Sequence, residues 1–238
     1  MGGRSRTGGP AKTMKTRVAI VDDHPIVRQG LAELINCQDD MEACCEAADT
    51  TSAVRVIEES RPDVAVIDIS LRDSSGIDLI RELKARMPEL TILVLSMHDE
   101  SCYAERVLRA GARGYVTKDE ASQTVISAIR RILAGRIHLS QQMASKMLTK
   151  FIDGSQEAGG KPVDRLTDRE LQIFDMIGNG IPTREIAGKL RVSVKTVESH
   201  RENIKRKLKI DSAMGLLQHA IQWVQMEQGN QDEPPRSS

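Results

Sequence analysis

Hydrophobic positions along the chain follow two periodicities, and their order sets the expected architecture. Residues 18–21, 64–67 and 92–95 are near-continuous aliphatic runs. Such runs suit parallel strands buried on both faces. Residues 42–47 and 114–117 are weaker strand candidates. Between them lie stripes at helical spacing: Val27, Leu31, Leu34 and Ile35; then Ile77, Ile80 and Leu83; then Val125, Ile129, Ile132 and Leu133. Strand–helix alternation of this kind predicts βαβ units and a doubly wound, five-stranded parallel sheet.

The alternation stops near Gly135. Residues 143–152 suit one more short helix, and 153–162 (DGSQEAGGKP) are rich in glycine and polar groups, so 136–162 reads as a linker. Beyond Pro162 only helical signals remain. Thr167 with Glu170 three residues later forms a capping box, and that helix is expected to end around 178–180. Pro182 suits the first turn of the next helix, which runs to about Leu190. After a tight connection at 191–193 a longer helix reaches about Leu208. Asp211 or Ser212 caps a last helix to about Met226. The domains are therefore expected at 14–135 (α/β) and 163–228 (four helices, all-α). Residues 1–13 and 229–238 read as disordered ends, with Met14 as the alternative start. No internal repeat is evident.

Composition narrows the class. Aromatics are 2% of 238 residues, so the cores must be aliphatic. No apolar run approaches the roughly 20 residues needed to span a bilayer. The basic N-terminus lacks the apolar segment of a secretory signal, and Arg6 stands where a myristoylation signal needs Ser or Thr. Cys37, Cys44, Cys45 and Cys102 show no CxxC spacing and fit buried or half-buried thiols of a reduced, cytoplasmic protein. Net charge is zero, but residues 14–150 carry 18 Lys/Arg against 21 Asp/Glu, so −3. Residues 161–225 carry 12 against 8, so +4. This asymmetry suggests that nucleic acid is met by the second half.

In an open α/β sheet, ligands bind outside the carboxyl ends of the strands, and polar residues fall there. Asp22 and Asp23 follow the first strand, Asp68 ends the third, Ser96 the fourth, and Lys118 follows the fifth. Carboxylates brought together repel. A hard cation such as Mg²⁺ relieves this, binding one or two carboxylates together with water and phosphate oxygens. An aspartate can also accept a phosphoryl group as an acyl phosphate. Taken singly, each acid is equally a loop residue or helix cap, and Asp73 and Asp78 are read that way. Five polar groups at corresponding strand ends are harder to assign to chance.

At these residues the sequence resembles a known family. VAIVDDHPIVRQGL, DVAVIDISLRDSSGIDLI, ILVLSMHDE and AGARGYVTKDE are similar to the receiver signatures of the NarL/FixJ group of response regulators. The resemblance implies a flavodoxin-like (CheY-like) receiver with Asp68 as phosphoacceptor. It implies Mg²⁺ held by Asp23, Asp68 and the Ser70 carbonyl, and by Asp22 through water. Ser96 and Lys118 would hold the phosphoryl oxygens, and Tyr115 would be an aromatic switch that turns inward. The chain departs from the family in having Asp119 where proline often follows the lysine, so the Lys118–Asp119 bond is open to being trans. Met97 and His98 either limit water access or are a packing residue and a surface histidine.

In the long helix of the second half, Val197, Ile204 and Leu208 share one face. Lys195, Ser199, Glu202 and Arg206 lie opposite, with Thr196 and Asn203 at the flank. Residues 195–209 hold six Lys/Arg and two Asp/Glu, so +4. Such a face can meet phosphates and base edges, or be merely solvated. LTDREL, IGNG, TREIAGKL and VSVKTVESHRENIKRKL resemble the LuxR-type helix-turn-helix. This implies DNA contacts by Thr183, Ser193, Val194, Lys195, Thr196, Val197, Ser199, His200, Asn203 and Lys207. Glu170 and Ile186 would be structural and Arg169 exposed. The last helix, with Leu216, Leu217, Ile221, Trp223 and Val224, would supply a dimer surface or simply close the core.

The leading expectation is a phosphorylation-controlled DNA-binding regulator. Its partners would be a sensor histidine kinase, double-stranded DNA with inverted half-sites, a second copy when phosphorylated, and RNA polymerase, with no membrane. The alternative is a receiver that acts as a phosphorylation-independent interaction or dimerisation module. A phosphatase or phosphotransferase of similar fold is a third reading. However, the chain carries no P-loop, dinucleotide glycine motif or nucleophile elbow, and an enzyme is not expected.

Overall fold

The computed structural model describes residues 15–71, 75–97, 100–152, 162–190 and 192–229. The leader with Met14, the 153–161 stretch, the tail from 230, and Asp73 and His98 lie outside the described residues.

Five parallel strands form one sheet in the order β2-β1-β3-β4-β5: β1 Thr16–Val21, β2 Met41–Ala47, β3 Val64–Asp68, β4 Thr91–Ser96 and β5 Gly114–Thr117. Between and after them run α1 Pro25–Asn36, α2 Thr50–Ser60, α3 Gly76–Arg86, α4 Glu100–Ala110 and α5 Ala121–Leu133. Alternate residues of the buried strands serve opposite faces, as the period of two requires. Val18, Ile20, Val64, Val66, Leu93 and Leu95 pack with Leu31 and Ile35 of α1 and Val125 and Ile129 of α5. Ala19, Val21, Ala65, Ile67, Ile92 and Val94 pack on the other face with Ile57 of α2, Ile80 and Leu83 of α3, and Val107 of α4. The order reverses between β1 and β3, which puts the ligand crevice at their carboxyl ends.

The region expected as a linker is partly structured. His138 donates its backbone N–H to Arg113 O at 3.0 Å and accepts from Tyr115 N at 2.9 Å, so this segment runs along the otherwise open edge of β5. An exposed strand edge leaves backbone groups unpaired, and the segment satisfies two of them. Ser140 N then bonds the Glu100 carboxylate at the start of α6, Gln141–Ile152, which buries Met143.

The second unit comprises a 3-10 turn, Pro162–Arg165, then α7 Asp168–Gly178, α8 Thr183–Lys189, α9 Val194–Leu208 and α10 Ala213–Gly229. The capping box forms as expected: Glu170 N donates to Thr167 Oγ1 and Thr167 N to Glu170 Oε2. Leu171, Phe174, Ile177, Ile186, Val197, Ile204, Leu216 and Ala220 make the core. A Cβ on Gly178 would lie 2.4 Å from Ala220 O, so only glycine lets α7 and α10 approach this closely. Leu216 and Val224, expected at a dimer surface, are buried against this core, whereas Leu217 and Ile221 are half-buried.

Candidate functional site

Residues 22–24 sit between the end of β1 and the start of α1. There Asp22 and Asp23 are buried, at 1% and 8% exposure, as is Asp68 at 1%. Local geometry holds each in place. Asp22 N donates to Ala47 O, and Arg28 NH1 donates to Asp22 O at 2.7 Å. Ser70 N donates to Asp68 Oδ1 at 2.8 Å. Lys118 N donates to Ser96 O, which carries the lysine past the end of β5 so that its Nζ lies 2.7 Å from both Asp68 Oδ2 and Asp22 Oδ2. Ser96 is fully buried at the end of β4. The five residues singled out at the strand ends therefore converge. The Lys118–Asp119 bond is trans, as there are no cis bonds among the described residues.

The electrostatics follow from burial. Desolvation pushes the Asp68 carboxyl above the ordinary carboxylate range; the Lys118 ammonium opposes this and Asp22 adds to it. Burial alone would lower Lys118, but Asp68 and Asp22 outweigh it and leave its pKa raised. One ammonium thus pairs with two of the three buried acids. Ligand atoms of Asp22, Asp23, His24 and Asp68 lie within 4.8 Å of one another, a donor set that fits a hard divalent cation.

Several residues here were not singled out from sequence. His24 places Nδ1 2.8 Å from Asp23 Oδ1 and 3.2 Å from Asp22 Oδ1. Gly76 opens α3 against the end of β3, where a Cβ would fall 2.4 Å from Asp68 O and 2.5 Å from Ile69 Cα. The glycine in DSSGIDL was the available signal, since a glycine at a helix start often marks close backbone approach. Tyr115 is 2% exposed, so its ring lies in the core in this arrangement. Met97 is exposed.

The second candidate surface is α9. Ser193 caps it, accepting from Thr196 N, and Val194, Lys195, Thr196, Ser199, Glu202 and Arg206 face solvent. Val197 is fully buried, so it cannot reach a base edge. It packs the helix instead, as its place on the Ile204 face dictates. Thr183, at the start of α8, accepts from Arg201 NH1 at 3.3 Å. Asn203 accepts from Arg206. Lys207 reaches inward, with Nζ 2.5 Å from the buried carboxylate of Glu170, which ties α9 to α7. Burial alone would raise the Glu170 pKa, but the Lys207 ammonium and the hydrogen bonds of Thr167 outweigh it and hold the carboxyl below its usual range. Half-buried His200 has its imidazole pKa lowered, chiefly by burial. Arg169, expected exposed, is half-buried and donates to Gln172 Oε1 and to Leu190 O, satisfying a carbonyl at the end of α8.

The two surfaces are physically connected. Arg106 of α4 donates to Leu166 O, Val163 O and Asp168 Oδ1, and Arg81 of α3 pairs with Asp168 Oδ2 at 2.9 Å. Beside this clasp, Ile69, Ser70, Ser75, Ile77, Tyr103, Asp168 and Gln172 line a small cavity.

Comparison with known proteins agrees with both halves. Residues 18–130 match the response regulator receiver domain, and residues 164–220 match the bacterial regulatory proteins of the luxR family. The oxygen regulatory protein NreC of Staphylococcus carnosus is 36% identical over 209 residues, covering 86% of this chain and 96% of that protein. NreC of Staphylococcus epidermidis is 34% identical over 210 residues, with the same coverage. Among solved structures, RcsB of Salmonella enterica serovar Typhimurium bound to promoter rprA with the phosphomimetic BeF₃⁻ aligns at TM-score 0.58 and 26% identity. It covers 87% of this chain and 98% of that one. A LuxR-family two-component response regulator from Aurantimonas sp. aligns at TM-score 0.54 and 36% identity over 58% of this chain and 99% of that one.

Proposed function

The chain belongs to the two-component response regulators that join a receiver domain to a LuxR-type DNA-binding domain, and from that premise we propose that Asp68 is its phosphoacceptor and α9 its reading helix. The convergence of Asp22, Asp23, Asp68 and Lys118 carries the first assignment. A carboxylate oxygen of Asp68 attacks phosphorus in the phosphohistidine of a sensor kinase. The P–N bond breaks, and the imidazole leaves with a proton. Lys118, fixed by its bond to Ser96 O, sits where negative charge grows on the phosphoryl oxygens. Mg²⁺, held by Asp22, Asp23, Asp68 and the Ser70 carbonyl, would neutralise further charge on those oxygens.

The clasp supports a route from this site to the DNA-binding domain. Ser70 and Ser75 flank the Asp68 loop and border the same cavity as Asp168 and Gln172 of α7. Rearrangement at Asp68 therefore bears on the α7 attachment through residues in contact. The outward face of α9 stays exposed in the docked arrangement, so release from the receiver is not needed to uncover it. This favours control through pairing of two copies, which places two α9 helices on inverted half-sites. In this reading Lys195, Thr196, Ser199, Val194 and Ser193 meet DNA, with Thr183, His200 and Asn203 at the rim, and Leu217 and Ile221 are what α10 offers a partner. The protein works in the cytoplasm, with RNA polymerase as a downstream partner.

The assignment is tested by incubating the full chain with a small-molecule phosphodonor and Mg²⁺, then mapping adducts by mass spectrometry. Wild type gains one phosphoryl group on the peptide containing Asp68, and Asp68→Asn gains none. An adduct of equal yield in Asp68→Asn shows that another residue is the acceptor.

A further inference from the structure

We infer that His24 is a nitrogen ligand to the divalent cation of the phosphorylation site, and that it biases the site toward borderline cations such as Co²⁺ over the hard Mg²⁺; this rests on the reading that Asp22, Asp23 and Asp68 hold a cation. The spacing carries the inference. An octahedral cation with bonds of about 2.1 Å sets neighbouring ligand atoms about 3.0 Å apart. His24 Nδ1 lies 2.8 Å from Asp23 Oδ1, close to one edge of such an octahedron, and 3.2 Å from Asp22 Oδ1.

The backbone accounts for the placement. His24 is the residue before α1, with extended φ −93° and ψ 110°. Its N–H donates to Asp22 Oδ1 at 2.8 Å, and Pro25 follows as the first helical residue. A polar residue here ordinarily turns its side chain to the free N–H groups of the first turn. The imidazole of His24 makes no such bond and is turned to the carboxylates instead. With its proton on Nε2, Nδ1 presents a lone pair to an ion seated between those acids. The ring is 57% exposed on its side chain, so a solvated ion can reach it and shed water there. Imidazole nitrogen suits later first-row cations better than Mg²⁺, which favours oxygen ligands. A Mg²⁺-occupied site would leave His24 hydrogen-bonded to the acids, while Co²⁺ would recruit it.

The test uses the full chain with each metal salt alone. Binding of Co²⁺, Mn²⁺ and Mg²⁺ is measured by calorimetry for wild type, His24→Ala, His24→Asn and Asp23→Asn, and bound Co²⁺ is examined by electron spin-echo spectroscopy for coupling to imidazole ¹⁴N. Wild type is expected to show the nitrogen coupling, and both His24 variants to lose it. Both should weaken Co²⁺ binding about tenfold, the lower end of what displaced groups around a metal cost, while Mg²⁺ affinity stays nearly unchanged. Asp23→Asn should weaken all three. Co²⁺ binding by wild type without nitrogen coupling, or equal losses for Co²⁺ and Mg²⁺ in the His24 variants, overturns the ligand assignment and leaves the cation reading standing. Failure of wild type to bind any of the three overturns both.

Discussion

The acidic pocket of the receiver and the outer face of α9 both depend on charged side chains, but they hold them under opposite conditions. In the pocket, Asp22, Asp68 and Lys118 are almost wholly withdrawn from water, so each charge acts strongly on its neighbours. On α9, Lys195, Glu202 and Arg206 are solvated, and their effect is spread, additive and screened by salt. The pocket thus suits an all-or-none chemical event, while the helix face suits graded contact with a polyanion. Substitutions in the pocket should act sharply through geometry, and those on α9 mildly through charge. Lys207 tests the boundary, because it belongs to α9 by sequence and to a buried pair by contact.

The largest effect is expected from Gly76→Ala. The new methyl would overlap Asp68 O and Ile69 Cα, both backbone atoms, so the loop carrying the phosphoacceptor must move. Overpacking of this kind costs about 1–3 kcal/mol. Thermal unfolding should show the loss, and phosphodonor labelling should fall far more than stability does. Full labelling with an unchanged melting temperature would show that the pocket tolerates displacement and is not tightly preorganised.

Next is the pair Lys207→Met and Lys195→Ala. Lys207→Met strips a partly buried charge-assisted bond from Glu170 and should destabilise the DNA-binding domain by about 1–2 kcal/mol, discounted for its partial exposure. Lys195→Ala should leave the melting temperature in place, weaken DNA binding across sequences, and reduce the slope of log affinity against log salt by about 1. If Lys207→Met changes the salt slope and not the melting temperature, its place is on the DNA.

The smallest effects are in pH, and the two regions have opposite signs. The folded-state pKa of Glu170 is depressed, so its stabilising contribution is present above the unfolded carboxylate range and is lost as pH falls through the folded value. The folded-state pKa of Asp68 is raised, so ionising it opposes folding as pH rises above that range. Glu170→Gln should therefore lower the melting temperature at neutral pH, with a deficit that shrinks on acidification. Asp68→Asn should raise it at neutral pH without divalent cations, with an advantage that also shrinks. Differences that stay constant between pH 7 and pH 4 would contradict both assignments.

Much of this was legible in the sequence, for reasons that differ between the regions. The aliphatic runs at 18–21, 64–67 and 92–95 suit buried strands, and a parallel sheet places the polar residues following them at one edge. That is why Asp22, Asp23, Asp68, Ser96 and Lys118 could be grouped from spacing. Contacts between distant segments were not legible. Arg106 with Asp168 and Lys207 with Glu170 join surface-like charges that carry no periodic signal. Val197 shows the limit of carrying over a motif, since its own helical spacing already placed it with Ile204 in the core. The 136–140 segment was read as linker because pairing along one strand edge leaves little mark on so short a stretch.

The central claim is that a phosphoryl group on Asp68 changes how α9 meets DNA. It is tested most directly by fluorescence-anisotropy titration of a genomically selected DNA fragment at fixed salt, with and without phosphodonor and Mg²⁺, for wild type and Asp68→Asn. The account predicts tighter binding by wild type only when donor is present, with Asp68→Asn fixed at the unphosphorylated affinity in both conditions. A donor-induced gain of the same size in Asp68→Asn, or no gain in wild type that is demonstrably phosphorylated, would contradict it.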